Sequence, residues 1–167
     1  LDSKSSEERK KLFLVSLKNR NFKDTLSGPY TYSWENIETK ILTLSKYLEK
    51  IISQGDRCIL LSENRPEWLI SDLAIMNAGG VTVPLFTTYS GDDYKYIIGN
   101  CEPKVCIVSN SSQFKKIKKY IKEDTFIISI DEFDKTIEFF ENIFLKAKTD
   151  PKTPVDGVVL YNDNLRR

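Results

Sequence analysis

Ala74-Ile75-Met76-Asn77-Ala78-Gly79-Gly80-Val81-Thr82-Val83-Pro84-Leu85 is the stretch that decides the fold. It reads as the apolar end of a helix, a paired glycine stop and a short buried strand closed by proline. One glycine can take the left-handed conformation that caps a helix. Neither carries a Cβ to hold off a neighbouring strand. Pro84 has no amide donor, so its strand must be an edge strand, or must end or bulge close by. A helix passing tightly into a buried strand is the joint from which layered α/β folds are assembled.

Working outward, the same alternation continues on both sides. Tyr30-Thr31-Tyr32 reads as a short strand with Ser33 as N-cap, and Ile37, Ile41, Leu44, Leu48 and Ile51 then step by three and four. That spacing predicts a long amphipathic helix over 34–52, stopped by Gly55. Arg57-Cys58-Ile59-Leu60-Leu61 is a continuous apolar run, the mark of a strand covered on both faces. Pro66 opens the next helix, where its missing amide costs nothing, and 68–78 is apolar nearly all round, which predicts deep burial. Beyond the strand at 81–86, Ser90-Gly91-Asp92-Asp93 resembles a capping box before a helix carrying Tyr94, Ile97 and Ile98. Strands over 104–108 and 125–130 flank a predicted helix over 112–122, and Phe133, Ile137, Phe140 and Phe144 recur at helical spacing. Residues 1–29 form a lead-in, with a short helix expected around Lys10 to Asn19 and a turn at Ser27-Gly28-Pro29. The prediction is an α/β fold, a doubly wound and mostly parallel sheet with helices on both faces.

Composition narrows the function. The chain has 167 residues, enough for one domain to bury a sizeable core. A formal net charge of +1 supplies no global field for nucleic acid or anionic membrane. No apolar run approaches the ~20 residues of a membrane span, and the polar start lacks a signal-peptide core. It also lacks an initiator methionine, which suggests a fragment. Histidine is absent, which removes the commonest general base, Ser-His-Asp catalysis and most zinc sites. Cys58, Cys101 and Cys106 have no metal spacing, and their context reads as reduced thiols in a cytoplasmic protein.

In an open parallel sheet, ligands bind beyond the carboxyl ends of the strands. Ser62-Glu63-Asn64-Arg65, directly after the 57–61 strand, is therefore the first candidate, with Asn64 and Arg65 placed to hold an anion at a helix start. The structural reading, which the pattern favours, has Asn64 and Glu63 capping the helix and Arg65 pairing with a surface carboxylate. Thr87-Thr88-Tyr89-Ser90 is the second candidate, equally serviceable as a turn and N-cap. Lys115, Lys116, Lys118, Lys119 and Lys122 alternate with Phe114, Ile117 and Ile121, and read as a solvated helix face rather than a nucleic-acid patch. The Phe133, Phe140 and Phe144 stripe reads as core. No GxGxxG, no GK[ST] phosphate loop and no metal-ligand cluster is present.

Several segments, taken in order, resemble one family. They are Tyr30-Thr31-Tyr32-Ser33-Trp34, then Gly55-Asp56-Arg57 with Leu60-Leu61-Ser62-Glu63-Asn64-Arg65-Pro66-Glu67-Trp68. Leu73 to Pro84 follows with its Ala-Gly-Gly and Val-Pro elements, and then Tyr96-Ile97-Ile98 and 103–110. This series, running from Tyr30 to about Asn110, resembles the adenylate-forming (AMP-binding) enzymes, and among them the N-terminal part of long-chain fatty-acid–CoA ligases. The resemblance implies a two-step reaction in which a fatty acid is activated by ATP with Mg2+ to an acyl-adenylate, and coenzyme A then displaces AMP. It implies an α/β subdomain over 30–147, a lead-in over 1–29 and a phosphate-loop remnant over 148–167.

In that remnant, Lys152 and Gly157 match elements of the family's phosphate loop, but Thr153-Pro154-Val155-Asp156 intervenes and the preceding run lacks glycine. A loop that cradles phosphate with backbone amides needs glycine there. The chain alone is therefore expected to bind no ATP, CoA or Mg2+ and to be inactive. Its uncovered apolar faces predict self-association. A stand-alone α/β binding domain derived from such an enzyme is the alternative from another class, and an unrelated doubly wound nucleotide module is a third.

Overall fold

The structure is a computed structural model, which describes residues 6–16 and 30–149. A short helix α1 (Ser6–Arg9) leads into β1 (Leu12–Ser16), which pairs antiparallel with β2 (Tyr30–Ser33). The helix expected around Lys10 to Asn19 is thus replaced by a strand over Leu12–Ser16. The backbone groups of this run are satisfied by β2, a partner distant in sequence that no local pattern reveals. The register slips between Leu12 and Leu14, and Phe13 at the slip stacks on Trp34 at 3.6 Å. The turn expected at Ser27-Gly28-Pro29 lies outside the described residues.

Ser33 caps α2 (Trp34–Leu48) in a reciprocal box with Asn36. The expected stripe is buried at Ile37, Ile41, Leu44 and Leu48. Burying each such side chain stabilises the fold by roughly 1.5–3 kcal/mol. The helix stops at Leu48 rather than Ile52. Ile52 donates back to the Leu48 carbonyl and turns inward to the core, and Gly55 (φ +83°) sits in the separate turn that follows.

The main sheet has five parallel strands: β3 (Arg57–Leu61), β4 (Val81–Leu85), β5 (Val105–Val108), β6 (Phe126–Ser129) and β7 (Glu138–Phe139). Their order is β4-β3-β5-β6-β7. Between them run α3 (Pro66–Asn77), α4 (Gly91–Cys101) and α5 (Ser111–Ile117), and α6 (Phe140–Thr149) follows β7. Alternate strand residues serve opposite faces. Cys58 and Leu60 join the core made with α2, α3 and α6, whereas Ile59 and Leu61 join the core made with α4 and α5. The continuous apolar run of β3 is explained by this double cover, and the sheet is doubly wound as expected.

The glycine pair divides its work. Gly79 takes φ +82°, and the amides of Gly79 and Gly80 donate to Met76 and Ile75, closing the α3 terminus in a Schellman motif. A Cβ on Gly80 would stand 2.8 Å from Ile52 Cδ1, 3.1 Å from Ile75 Cγ2 and 3.3 Å from the Asp56 carbonyl. Pro84 lies in β4, the edge strand. Val81 donates to Asp56, so strand alternation turns Pro84 outward, where its missing donor leaves the open edge a poor template for another strand.

Three further expectations are corrected. α3 buries Ile70, Ser71, Ala74 and Ile75 but leaves Met76 51% exposed, so it is covered on one face only. α5 ends at Ile117, because Lys118 to Tyr120 close in turns rather than continuing to Lys122. The phenylalanines do not share one helix. Phe133 precedes β7 and packs with the α4–α5 core, while Phe140 and Phe144 lie on α6 in the opposite core. Their helical spacing conceals a two-residue strand that passes from one face to the other.

Cys58 and Cys106 are buried, Cys101 is half-buried, and all three are free thiols. Burial, with Asp56 adding to it, pushes Cys58 up to about 12. Among the described residues no helix is long and apolar enough to cross a membrane.

Candidate functional site

The chain steps from β3 outward to β4 and then back across to β5 on the other side. Where a doubly wound sheet reverses direction in this way, the loops at the carboxyl ends part and leave a crevice. Ser62-Glu63-Asn64-Arg65 leaves β3 on one side of it, and Ser109-Asn110 leaves β5 on the other.

Side chains join across this reversal. Gln113, on the first turn of α5, donates from Nε2 to Glu63 Oε1 at 2.7 Å. Asn110 caps that turn by accepting from Ser112 and Gln113, and its Nδ2 donates to Ser109 Oγ. Burial works to raise the Glu63 carboxyl. Bonds from Ser109, its own amide and Gln113, with the nearby Arg65 charge, outweigh burial and hold the carboxyl below the ordinary glutamate value. Glu63 is therefore a carboxylate held in one orientation. The Gln113 amide cannot reverse without setting its oxygen against that carboxylate. Its Oε1 is buried with no hydrogen-bond partner, on a residue only 7% exposed.

Arg65 does not stand ready for an anion. Its Nε donates to Glu67 at 2.8 Å and its Nη1 to Asp131 at 3.0 Å. Burial tends to lower its pKa, but these two carboxylates more than reverse that. The Tyr32 hydroxyl reaches Glu67 at 3.5 Å, and burial, followed by the charges of Glu67 and Glu141, raises its pKa. Arg65 thus ties the start of α3 to the loop after β6. It is also the N-cap of α3, without any side-chain cap bond. The expected capping by Asn64 and Glu63 is accordingly corrected: Pro66 at N1 has no amide donor to satisfy, and Glu63 turns to Ser109 and Gln113 instead. Asn64 is exposed in the turn before Arg65. The second candidate loop resolves as structure. Ser90 and Asp93 form the capping box of α4, Tyr94 donates to the Phe86 carbonyl, and Lys116 donates to Thr87. Lys152 and Gly157 lie outside the described residues.

The crevice offers the carboxylates Glu63, Glu67 and Asp131 around an already paired guanidinium, together with one buried acceptor oxygen. Such a surface accepts hydrogen-bond donors and repels phosphate. Among the described residues no group of three or more His, Cys, Asp or Glu is arranged to hold a metal ion. The carboxylates of this crevice do not fit the phosphates of a nucleotide triphosphate. Gln113, Ser109 and Asp131 were not singled out from sequence. The available signal was that Asn110-Ser111-Ser112-Gln113 also follows a buried strand, but only the strand order shows that this exit faces Glu63.

The AMP-binding enzyme family matches residues 7–160. The chain belongs to the AMP-binding enzyme family. Among curated relatives, the long-chain-fatty-acid–CoA ligase ACSBG2 of Xenopus laevis is 38% identical over 58 residues, covering 35% of this chain and 8% of the relative. Its counterpart from Gallus gallus is 31% identical over 67 residues, covering 40% of this chain and 9% of the relative. The matched part of this AMP-binding chain thus spans less than a tenth of either relative. A solved acyl-CoA synthetase from Brucella canis superposes with a TM-score of 0.66 at 16% identity, covering 81% of this chain and 24% of that one. An anthranilate CoA ligase, solved with anthranoyl-AMP, gives 0.64 at 19% identity, covering 70% and 23%. At these identities the structures establish the shared fold.

Proposed function

We propose that this AMP-binding chain is the N-terminal portion of an ATP-dependent acid–CoA ligase acting on a long-chain fatty acid. In this reading its own task is to build the first sheet of the large domain and part of the wall beside the acyl site. The family match over residues 7–160 carries the proposal, and the named ligase relatives supply the substrate class. Residues 30–147 form the α/β subdomain and 148–167 the altered phosphate-loop region, with Lys152 and Gly157 as its remnant contacts. Asn64 and Arg65 border the acid site, Arg65 by fixing the β3 exit through Glu67 and Asp131. ATP, Mg2+ and CoA are held by residues other than the described cluster, whose carboxylates disfavour phosphate. The enzyme acts in the cytoplasm.

The whole product of the reading frame that holds this segment is expected to form acyl-CoA from ATP, CoA and long-chain acids. Product from short or aromatic acids alone sinks the long-chain assignment. Absence of family motifs beyond Arg167 removes the ligase and leaves a derived α/β binding domain. The 167-residue chain is expected to show no ATP–pyrophosphate exchange with any fatty acid, and turnover by it overturns the view that catalysis lies elsewhere. Met76 on α3, Val81 on β4, Phe86 just after β4 and Tyr96 on α4 are exposed. Apolar exposure of this kind supports self-association of the chain, to be read by light scattering over a concentration series. A monomer at every concentration contradicts it.

A further inference from the structure

We draw no further inference here: the strongest candidate, the buried and unpartnered Gln113 amide oxygen in the side-chain cluster at the carboxyl ends of β3 and β5, belongs to the site already described, and nothing in the structure shows what donates to it.

Discussion

The two ends of the parallel sheet are built on different principles. At the amino end, backbone meets backbone. Gly55 donates to the Gly79 carbonyl at 2.8 Å, Val81 donates to Asp56 at 2.8 Å, and Gly80 is enclosed by Ile52, Ile75 and Asp56. At the carboxyl end, side chains meet across the reversal between β3 and β5, and one acceptor is left over on Gln113. The first arrangement has no room for an added atom at Gly80, whereas the second has an atom without a partner. Rigid turns at one end hold the strands in register, so that polar groups at the other end can be presented without carrying the fold themselves. Active and binding sites of doubly wound sheets occupy the carboxyl end.

The contrast breaks if the amino end proves tolerant. Gly80→Ala is expected to cost about 2 kcal/mol, since its Cβ must displace two packed isoleucines and approach a backbone carbonyl. Gly79→Ala has space around its Cβ, the nearest atom being 3.7 Å away on Gln54. It meets only the φ of +82°, and a cost of about 1 kcal/mol is expected. Urea unfolding of the two variants measures both. A Gly79 variant less stable than the Gly80 variant would show that backbone conformation, not crowding, dominates the joint.

The carboxyl end should respond less. Gln113→Leu removes the donor to Glu63 together with the orphaned oxygen, two losses of opposite sign, and should leave stability within about 1 kcal/mol of the parent. Its signature is in pH instead. The folded Glu63 carboxyl titrates below its unfolded value. The unfolded chain therefore binds more protons across that window, and stability rises with pH through it. The contribution is fully present above the unfolded glutamate value and is lost as pH falls through the folded one. In Gln113→Leu, NMR titration should find Glu63 moved up toward an ordinary glutamate, with a shallower acid limb in the unfolding curves. An unchanged Glu63 titration, or a loss of several kcal/mol, would mean that Gln113 is a core residue rather than a partner of the carboxylate.

The same division governs what could be read from the chain. Ser33 announces an N-cap and Ser90 a capping box because the bonds involved close within three residues. Gly79-Gly80 and Pro84 are legible because a missing Cβ and a missing amide are local facts. The carboxyl end is not local in that sense. Gln113 reaches Glu63 from 50 residues away, and Asp131 reaches Arg65 from 66. Neither pair has a spacing that any periodicity would mark. Arg65 as the partner of a carboxylate follows from its charge alone, but which carboxylate depends on strand order. Leu12–Ser16 failed for the same reason: its strand exists because β2 lies beside it. Phe133 and Ile137 keep a helical rhythm with Phe140 and Phe144, although β7 lies between Ile137 and Phe140.

The amino end also contains one place where its own rule is broken. Between α4 and β5 the chain needs a left-handed residue, as it does at Gly55 and Gly79, yet Glu102 occupies it with φ +42° and ψ +67°. Its amide closes the helix onto the Ile98 carbonyl, and its carboxylate pairs with Lys122 at 2.7 Å on the open surface. An exposed pair of this kind contributes little, whereas a Cβ in the left-handed region carries a strain that glycine relieves. Glu102→Gly is therefore expected to raise the melting temperature by roughly 2 °C. Glu102→Gln, which removes the charge and keeps the Cβ, should leave it nearly unchanged. If both variants lose stability equally, the Lys122 pair outweighs backbone conformation at this turn. The amino end would then depend on side chains in at least one place, and the contrast between the two ends would be one of degree.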